Sequence, residues 1–265
     1  MNMEEGCTTF VRNYPVTCSD GHVVRCDIFQ APVGNEKHPA LVFIHGGGFI
    51  GGDKDQFLWA ASFLTLKLGI TCVSVQYRTD APYPAAVLDC VEVFGWLAGQ
   101  SKELGIDEAR ICCVGGSPGA NIMLLSMQED WRKTHCTQVQ KDMYVPTACI
   151  ALNGIFFLPS FWKRNPEERK SLKQYFAASG QDLEILLQDA SPLLRHCQGK
   201  RVLLLHGEED EIVPLQDCKA MKDKLLADGN QAELSVFLHE PHAWFNAYAK
   251  QFSVLERMEE FIRQL

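Results

Sequence analysis

The sequence predicts an α/β protein with a mostly parallel central sheet covered by helices on both faces. Three observations carry that expectation. Strand-like and helix-like segments alternate along most of the chain. The segment Ile111–Val114 is continuously apolar, as a strand buried on both faces must be. Several strand candidates run straight into turns rich in glycine, histidine or acids, at the kind of edge where open α/β sheets build their sites.

The elements follow in order. Two short strands come first, near Thr9–Thr17 and His22–Phe29, with Ser19-Asp20-Gly21 as a hairpin turn. Leu41–His45 is a short apolar strand ending in Gly46-Gly47-Gly48, and Ile70–Tyr77 is the next. A helix over about Ala85–Ala98 carries Val87, Val91, Phe94 and Ala98 at helical spacing. Ile111–Val114 leads into Gly115-Gly116-Ser117-Pro118-Gly119, where a helix starts. Thr147–Leu152, Val202–Leu205 and Leu234–Leu238 read as further strands, and helices near Leu215–Leu226 and Val254–Leu265 complete the pattern. Asn153–Pro192 breaks the rhythm. It is long, helical in composition and rich in aromatics: Phe156, Phe157, Phe161, Trp162, Tyr175 and Phe176. It reads either as extra helix packed on the core or as a cap supplying part of a pocket. No repeat or linker divides the chain, so one domain over residues 1–265, with an insertion at about 153–192, is the expected parse.

Composition narrows the function. With 265 residues, 46% hydrophobic and 22% charged, the chain has the make-up of a globular protein that can bury a full core. A net charge of -8 argues against nucleic acid or an anionic membrane as main partner. The segment Met1 to Phe10 lacks a basic region followed by an apolar one, and no apolar run approaches the length of a spanning helix. The 11 cysteines form no CxxC pair, and several lie inside apolar strands (Cys72, Cys112, Cys113, Cys149). They read as buried free thiols in a reducing compartment, and a cytoplasmic location is expected.

Four segments carry chemistry. Gly115-Gly116-Ser117-Pro118-Gly119 fits G-x-S-x-G between a buried strand and a helix. That is the context of a nucleophile elbow, a strained turn that exposes a serine oxygen. In His45-Gly46-Gly47-Gly48-Phe49, successive glycines let backbone N–H groups face a cavity, where they can hold an oxyanion. No G-K-[ST] follows, so this is not a Walker-type loop. His45 reads as a residue that holds the loop. His206 to Pro214 brings Glu208, Glu209, Asp210 and Glu211 together after a strand, and Glu208, Glu209 and Glu211 read as solvated. His239-Glu240-Pro241-His242-Ala243-Trp244-Phe245 follows the last strand, with His239 the candidate for mere packing or exposure.

In the order oxyanion loop, serine, acid, histidine, these segments resemble the α/β-hydrolase fold esterases with an HGGG loop. That group comprises the hormone-sensitive-lipase-like enzymes and compact relatives such as the BD-FAE-like carbohydrate esterases. The resemblance runs from about Leu41 to the C-terminus. It is supported by Gly51-Gly52-Asp53-Lys54, Tyr77-Arg78 with Tyr83-Pro84-Ala85-Ala86, Gly105-Ile106-Asp107 with Arg110, and Ala190-Ser191-Pro192-Leu193. It implies an α/β-hydrolase fold and a serine hydrolase of small carboxylic esters. Ser117 would be the nucleophile, His242 the base, Asp210 its partner, and the Gly47 and Gly48 N–H groups the oxyanion donors. No cofactor or metal is implied. Phe49, Phe156, Phe157, Trp162 and Trp244 are the candidates for a substrate wall.

Two departures from the family pattern matter. Only about 40 residues precede the glycine loop, which favours an open site and short acyl groups over long-chain lipids. Pro118 follows the nucleophile, where the family normally offers a third oxyanion N–H, and proline has none. The alternatives are a related hydrolase acting on an amide, formamide, thioester or lactone, or a non-hydrolytic binding protein or lyase on the same fold. Oligomeric state is not read from the sequence.

Overall fold

In a computed structural model the structure describes residues 7–177 and 182–265. The leader reading of the N-terminus therefore lies partly outside the described residues, as do positions 178–181 of the aromatic insertion. The strands are β1 (Thr9–Thr17), β2 (Val23–Gln30), β3 (His38–Ile44), β4 (Thr71–Gln76), β5 (Ile106–Gly116), β6 (Ala148–Leu152), β7 (Arg201–Gly207) and β8 (Gln231–Phe237). They form one eight-stranded sheet in the order β1-β2-β4-β3-β5-β6-β7-β8. β1 pairs antiparallel with β2, and β2 antiparallel with β4, while every other pair is parallel. This is the α/β-hydrolase fold.

The pleat divides the core. Val42 and Ile44 of β3 and Cys113 of β5 point to one face, where they meet Val87, Val91 and Phe94 of the helix Ala85–Gly99. Leu41, Phe43, Cys112 and Val114 point to the other, against Leu64 of the helix Leu58–Leu68 and Met258 and Phe261 of the helix Tyr248–Ile262. Alternate residues of a strand face opposite sides, so a parallel strand covered on both faces must be apolar throughout. The cysteines serve this packing: all eleven are unpaired and only Cys7 is exposed.

The insertion between β6 and β7 contains helices Leu158–Arg164, Arg169–Phe176 and Leu183–Asp189. Phe156, Phe161, Tyr175 and Phe176 join the core on the face covered by Ala85–Gly99. Much of the aromatic content is thus the apolar underside of this layer. No helix among the described residues is long and apolar enough to cross a membrane.

Candidate active site

The site lies at the carboxyl ends of β3, β5, β6, β7 and β8. β5 ends at Gly116, and the chain turns sharply at Ser117 (φ 53, ψ -119) into the helix Pro118–Met127. A non-glycine residue at positive φ stores strain, and here the surroundings enforce it. The Ser117 N–H donates to the Leu152 carbonyl at 2.8 Å. Pro118, fixed near helical φ, is comfortable at the first helical position. Gly119 lets the helix approach β3: a methyl group there would lie 2.2 Å from the Ile44 carbonyl oxygen and 2.4 Å from that of His45. Close backbone packing thus accounts for this glycine of the G-x-S-x-G pattern.

The turn brings three side chains into line. Ser117 Oγ lies 2.9 Å from His242 Nε2, and His242 Nδ1 lies 2.8 Å from Asp210 Oδ2. With Nδ1–H donating to the carboxylate, Nε2 is bare and accepts the Ser117 hydroxyl hydrogen bond; this tautomer follows from the partners. The Asp210 side chain is fully buried. Its Oδ1 accepts the N–H groups of Ile212 (3.0 Å) and Val213 (2.8 Å), and its Oδ2 also accepts Asn153 Nδ2 at 2.5 Å. Burial alone pushes this carboxyl up, but the His242 hydrogen bond and charge and the Val213 N–H together hold it below its ordinary value. His206, 3.5 Å from Asp210 through Nε2, donates that N–H to the Val213 carbonyl at 2.9 Å. Burial pushes its pKa down, so it is a neutral brace for the acid loop.

The glycine loop forms the opposite wall. Gly47 has φ 125 and Gly48 φ 62; a side chain on Gly47 would run into the Gly51 carbonyl, 2.3 Å from its first carbon. Among the described residues neither the Gly47 nor the Gly48 N–H has a hydrogen-bond partner, and both glycines line the cleft with Ser117 and His242. Two such unpaired donors beside a serine hydroxyl are an arrangement that can hold an oxyanion. The loop is held from behind. His45 is fully buried, stacks on Tyr77 at 4.1 Å and contacts the Gly46 carbonyl through Nδ1 at 2.7 Å. Burial pushes its pKa down. Gln56 accepts the Gly46 N–H at 2.7 Å and donates to Asn246 at 3.2 Å, which ties this loop to the histidine loop.

The cleft has a volume of about 410 Å³ and is walled by Ile155, Phe161, Ile212 and Phe245, with Glu168 and Asp53 at its polar edge. The five aromatics expected as a substrate wall do not line it. Phe49 turns under its loop and packs on Tyr175 at 4.8 Å. Phe156 is buried over Gly154. Phe157 is half-buried just before the helix Leu158–Arg164. Trp162 is half-buried against the core, with the Arg169 guanidinium 5.3 Å from its ring. Trp244 is buried against Phe237 at 4.9 Å. Their immediate neighbours Phe161 and Phe245 take the place expected of Trp162 and Trp244, because successive residues point about 100° apart in an α-helix and about 120° apart in a 3-10 turn. Glu208, Glu209, Glu211 and His239 are solvent-exposed, as expected. Asn153 was not anticipated. It follows β6 directly, has φ 46, donates to Asp210 and accepts the Ala243 N–H at 3.3 Å. Its place just past a parallel strand was the available signal.

The BD-FAE family model matches residues 26–225, most of the chain, including the glycine loop, Ser117 and Asp210. The chain belongs to the BD-FAE family. Among curated relatives, an ethyl acetate hydrolase of Pseudomonas putida is 30% identical over 117 residues, 42% of this chain and 36% of that protein. The carboxylesterase NlhH of Mycobacterium tuberculosis is 33% identical over 103 residues, 38% of this chain and 32% of that protein. The matches thus span about a third of these curated relatives' length. Two solved esterases share the fold throughout. Thermogutta terrifontis esterase 2, phosphoramylated by tabun, superimposes with a TM-score of 0.76 at 20% identity, covering 100% of this chain and 96% of that one. The Pyrobaculum calidifontis esterase superimposes with a TM-score of 0.79 at 19% identity, covering 97% and 85%. The BD-FAE match stops short of His242, so that residue's placement rests on the geometry above.

Proposed function

We propose that this BD-FAE chain is a serine hydrolase of small carboxylic esters. The observation that carries the reading is the line Ser117–His242–Asp210 facing the free N–H groups of Gly47 and Gly48 across one cleft. Ser117 Oγ attacks the acyl carbonyl while His242 Nε2 takes its proton. Gly47 and Gly48 hold the oxyanion, and Asp210 stabilises the imidazolium. The alcohol leaves with the proton from Nε2, giving an acyl-enzyme. His242 then activates a water, which releases the acid. Ester hydrolysis is supported by relatives named for it, including the ethyl acetate hydrolase, and by Thermogutta terrifontis esterase 2 solved with propionate bound and phosphonylated by sarin. A cleft of about 410 Å³ suits a small ester.

The chain is read as one domain over residues 1–265, with the segment at about 153–192 acting as a cap through Phe161 and Glu168. The ten buried thiols support a reducing, cytoplasmic setting. The test is initial-rate hydrolysis of p-nitrophenyl acetate and butyrate by the wild type and Ser117→Ala. Wild-type turnover that vanishes in the variant is expected. Equal rates for the two proteins would reject the reading.

A further inference from the structure

The cleft holds acids without cations. Glu168 and Asp53 line it, and among the described residues no lysine or arginine does. Glu168 ends the short turn Pro166–Glu168 of the inserted segment. It stands beside the glycine loop: a methyl group built on Gly48 would lie 3.5 Å from its Oε2. Its carboxylate has no hydrogen-bond or ion-pair partner among the described residues. The cations next to both acids in sequence are committed elsewhere. Lys54 is buried with its Nζ 3.2 Å from Asp27. Arg169 donates to the carbonyls of Trp162 and Lys163 and lies over the Trp162 ring.

A carboxylate beside the donors of an oxyanion hole opposes the charge that forms there, because like charges repel. For a neutral substrate it is a handicap, and for an anionic one a larger handicap. A substrate that brings its own positive charge removes the conflict. It pairs with Glu168 and presents its alkyl surface to Phe161 and Phe245, which suit a cation held against aromatic faces. Resting on the hydrolase reading for the identity of the reacting centre, we propose that Glu168 is a specificity residue. It selects esters carrying an ammonium group near the scissile carbonyl and turns away those carrying a carboxylate.

The test separates binding from turnover. In Ser117→Ala, the affinities of acetylcholine and its neutral isostere 3,3-dimethylbutyl acetate are compared by ligand-observed NMR titration at low salt. A preference of about five- to tenfold for the cation is expected, the sum of a half-exposed ion pair and cation–aromatic contact. It should fall to about two- to threefold, the share left by the cation–aromatic contact, in Ser117→Ala/Glu168→Gln and persist in full in Ser117→Ala/Glu167→Gln, where the exposed neighbouring acid outside the cleft is neutralised. Added salt should erode it without any substitution. The inference is overturned if Ser117→Ala shows no preference, if the preference is undiminished by Glu168→Gln or by high salt, or if Glu167→Gln lowers it equally. Wild-type turnover of 3,3-dimethylbutyl acetate tests the hydrolase reading separately, since the binding preference does not depend on it.

Discussion

Replacing Asp210 by Asn tests how the histidine is set. The carboxylate receives N–H donors on both oxygens: Ile212 and Val213 on Oδ1, Asn153 and His242 on Oδ2. An amide has one accepting end. If its oxygen stays with the two backbone donors, its NH₂ faces Asn153 Nδ2 and His242 Nδ1. The imidazole then has to accept at Nδ1 and carry its proton on Nε2, where it can no longer take the Ser117 proton. The reverse orientation sets NH₂ against two fixed backbone N–H groups, each such conflict costing about 1–3 kcal/mol. The imidazolium also loses its counter-charge. At the 2.8 Å contact and an effective dielectric of about 20, that attraction is about 6 kcal/mol, or roughly 10⁴ in rate. Asp210→Asn should therefore fold normally by circular dichroism, bind a neutral ester with nearly unchanged KM, and lose about 10³–10⁴ in kcat toward p-nitrophenyl acetate. Because Asp210 sits below the ordinary carboxylate range, it stays ionised across any practical assay pH, so lowering the pH cannot reproduce the variant. A folded Asp210→Asn within tenfold of wild-type kcat would refute the orientation argument.

Pro118→Ala restores an N–H at the position after the nucleophile, at the first turn of a helix where such groups are unpaired. One oxyanion donor is commonly worth about 10²–10³, so kcat toward p-nitrophenyl acetate should rise by about tenfold or more; an unchanged kcat would mean that Gly47 and Gly48 already suffice. Phe156→Ala empties a fully buried site and should cost about 3–5 kcal/mol in urea unfolding, whereas a stable variant with altered acyl-length selectivity would return Phe156 to the substrate wall. His45 and His206 are both held neutral by burial, with folded pKa values below the unfolded one. Their contribution is complete above about pH 6.5 and is lost as pH falls toward the folded values, because the unfolded chain takes up protons first. The slope is at most about 1.4 kcal/mol per pH unit for each histidine, and urea unfolding stability that is flat from pH 7.5 to 5.5 would contradict it.

Strands were legible where pattern and burial coincide. The Ile111–Val114 part of β5 reads as a strand because a parallel strand covered on both faces has no polar position to confuse the period, whereas its first half, Ile106–Arg110, is largely polar and partly exposed and carries no such run. The helix Leu58–Leu68 was not read, because it is apolar nearly all round and shows no stripe. Among site residues, Ser117 and the Gly47–Gly48 pair announce themselves by backbone demands that few other residues meet. Asp210 stands among three glutamates, and only the family resemblance, not acidity itself, singles it out in the sequence. The physical reason lies in three dimensions, where the Ile212 and Val213 N–H groups and Asn153 converge on its carboxylate. The wall aromatics fail for a simpler reason. Residue type records that a ring is present but not which way it points: of Trp162 and Phe161, adjacent on one helix, Phe161 lines the cleft while Trp162 is half-buried against the core. Glu168 left no trace in the sequence, since its meaning comes from Gly48, far away along the chain.

The nucleophilic line through Ser117 is tested most directly by covalent labelling. The protein is treated with a fluorophosphonate, and the modified residue and the labelling rate are read by mass spectrometry in wild type, His242→Ala and Ser117→Ala. A single adduct on Ser117 is predicted, absent in Ser117→Ala and formed at least about 10³-fold more slowly in His242→Ala, since the base that activates the hydroxyl is gone. An adduct on another residue, or labelling of Ser117 at an undiminished rate without His242, would contradict it.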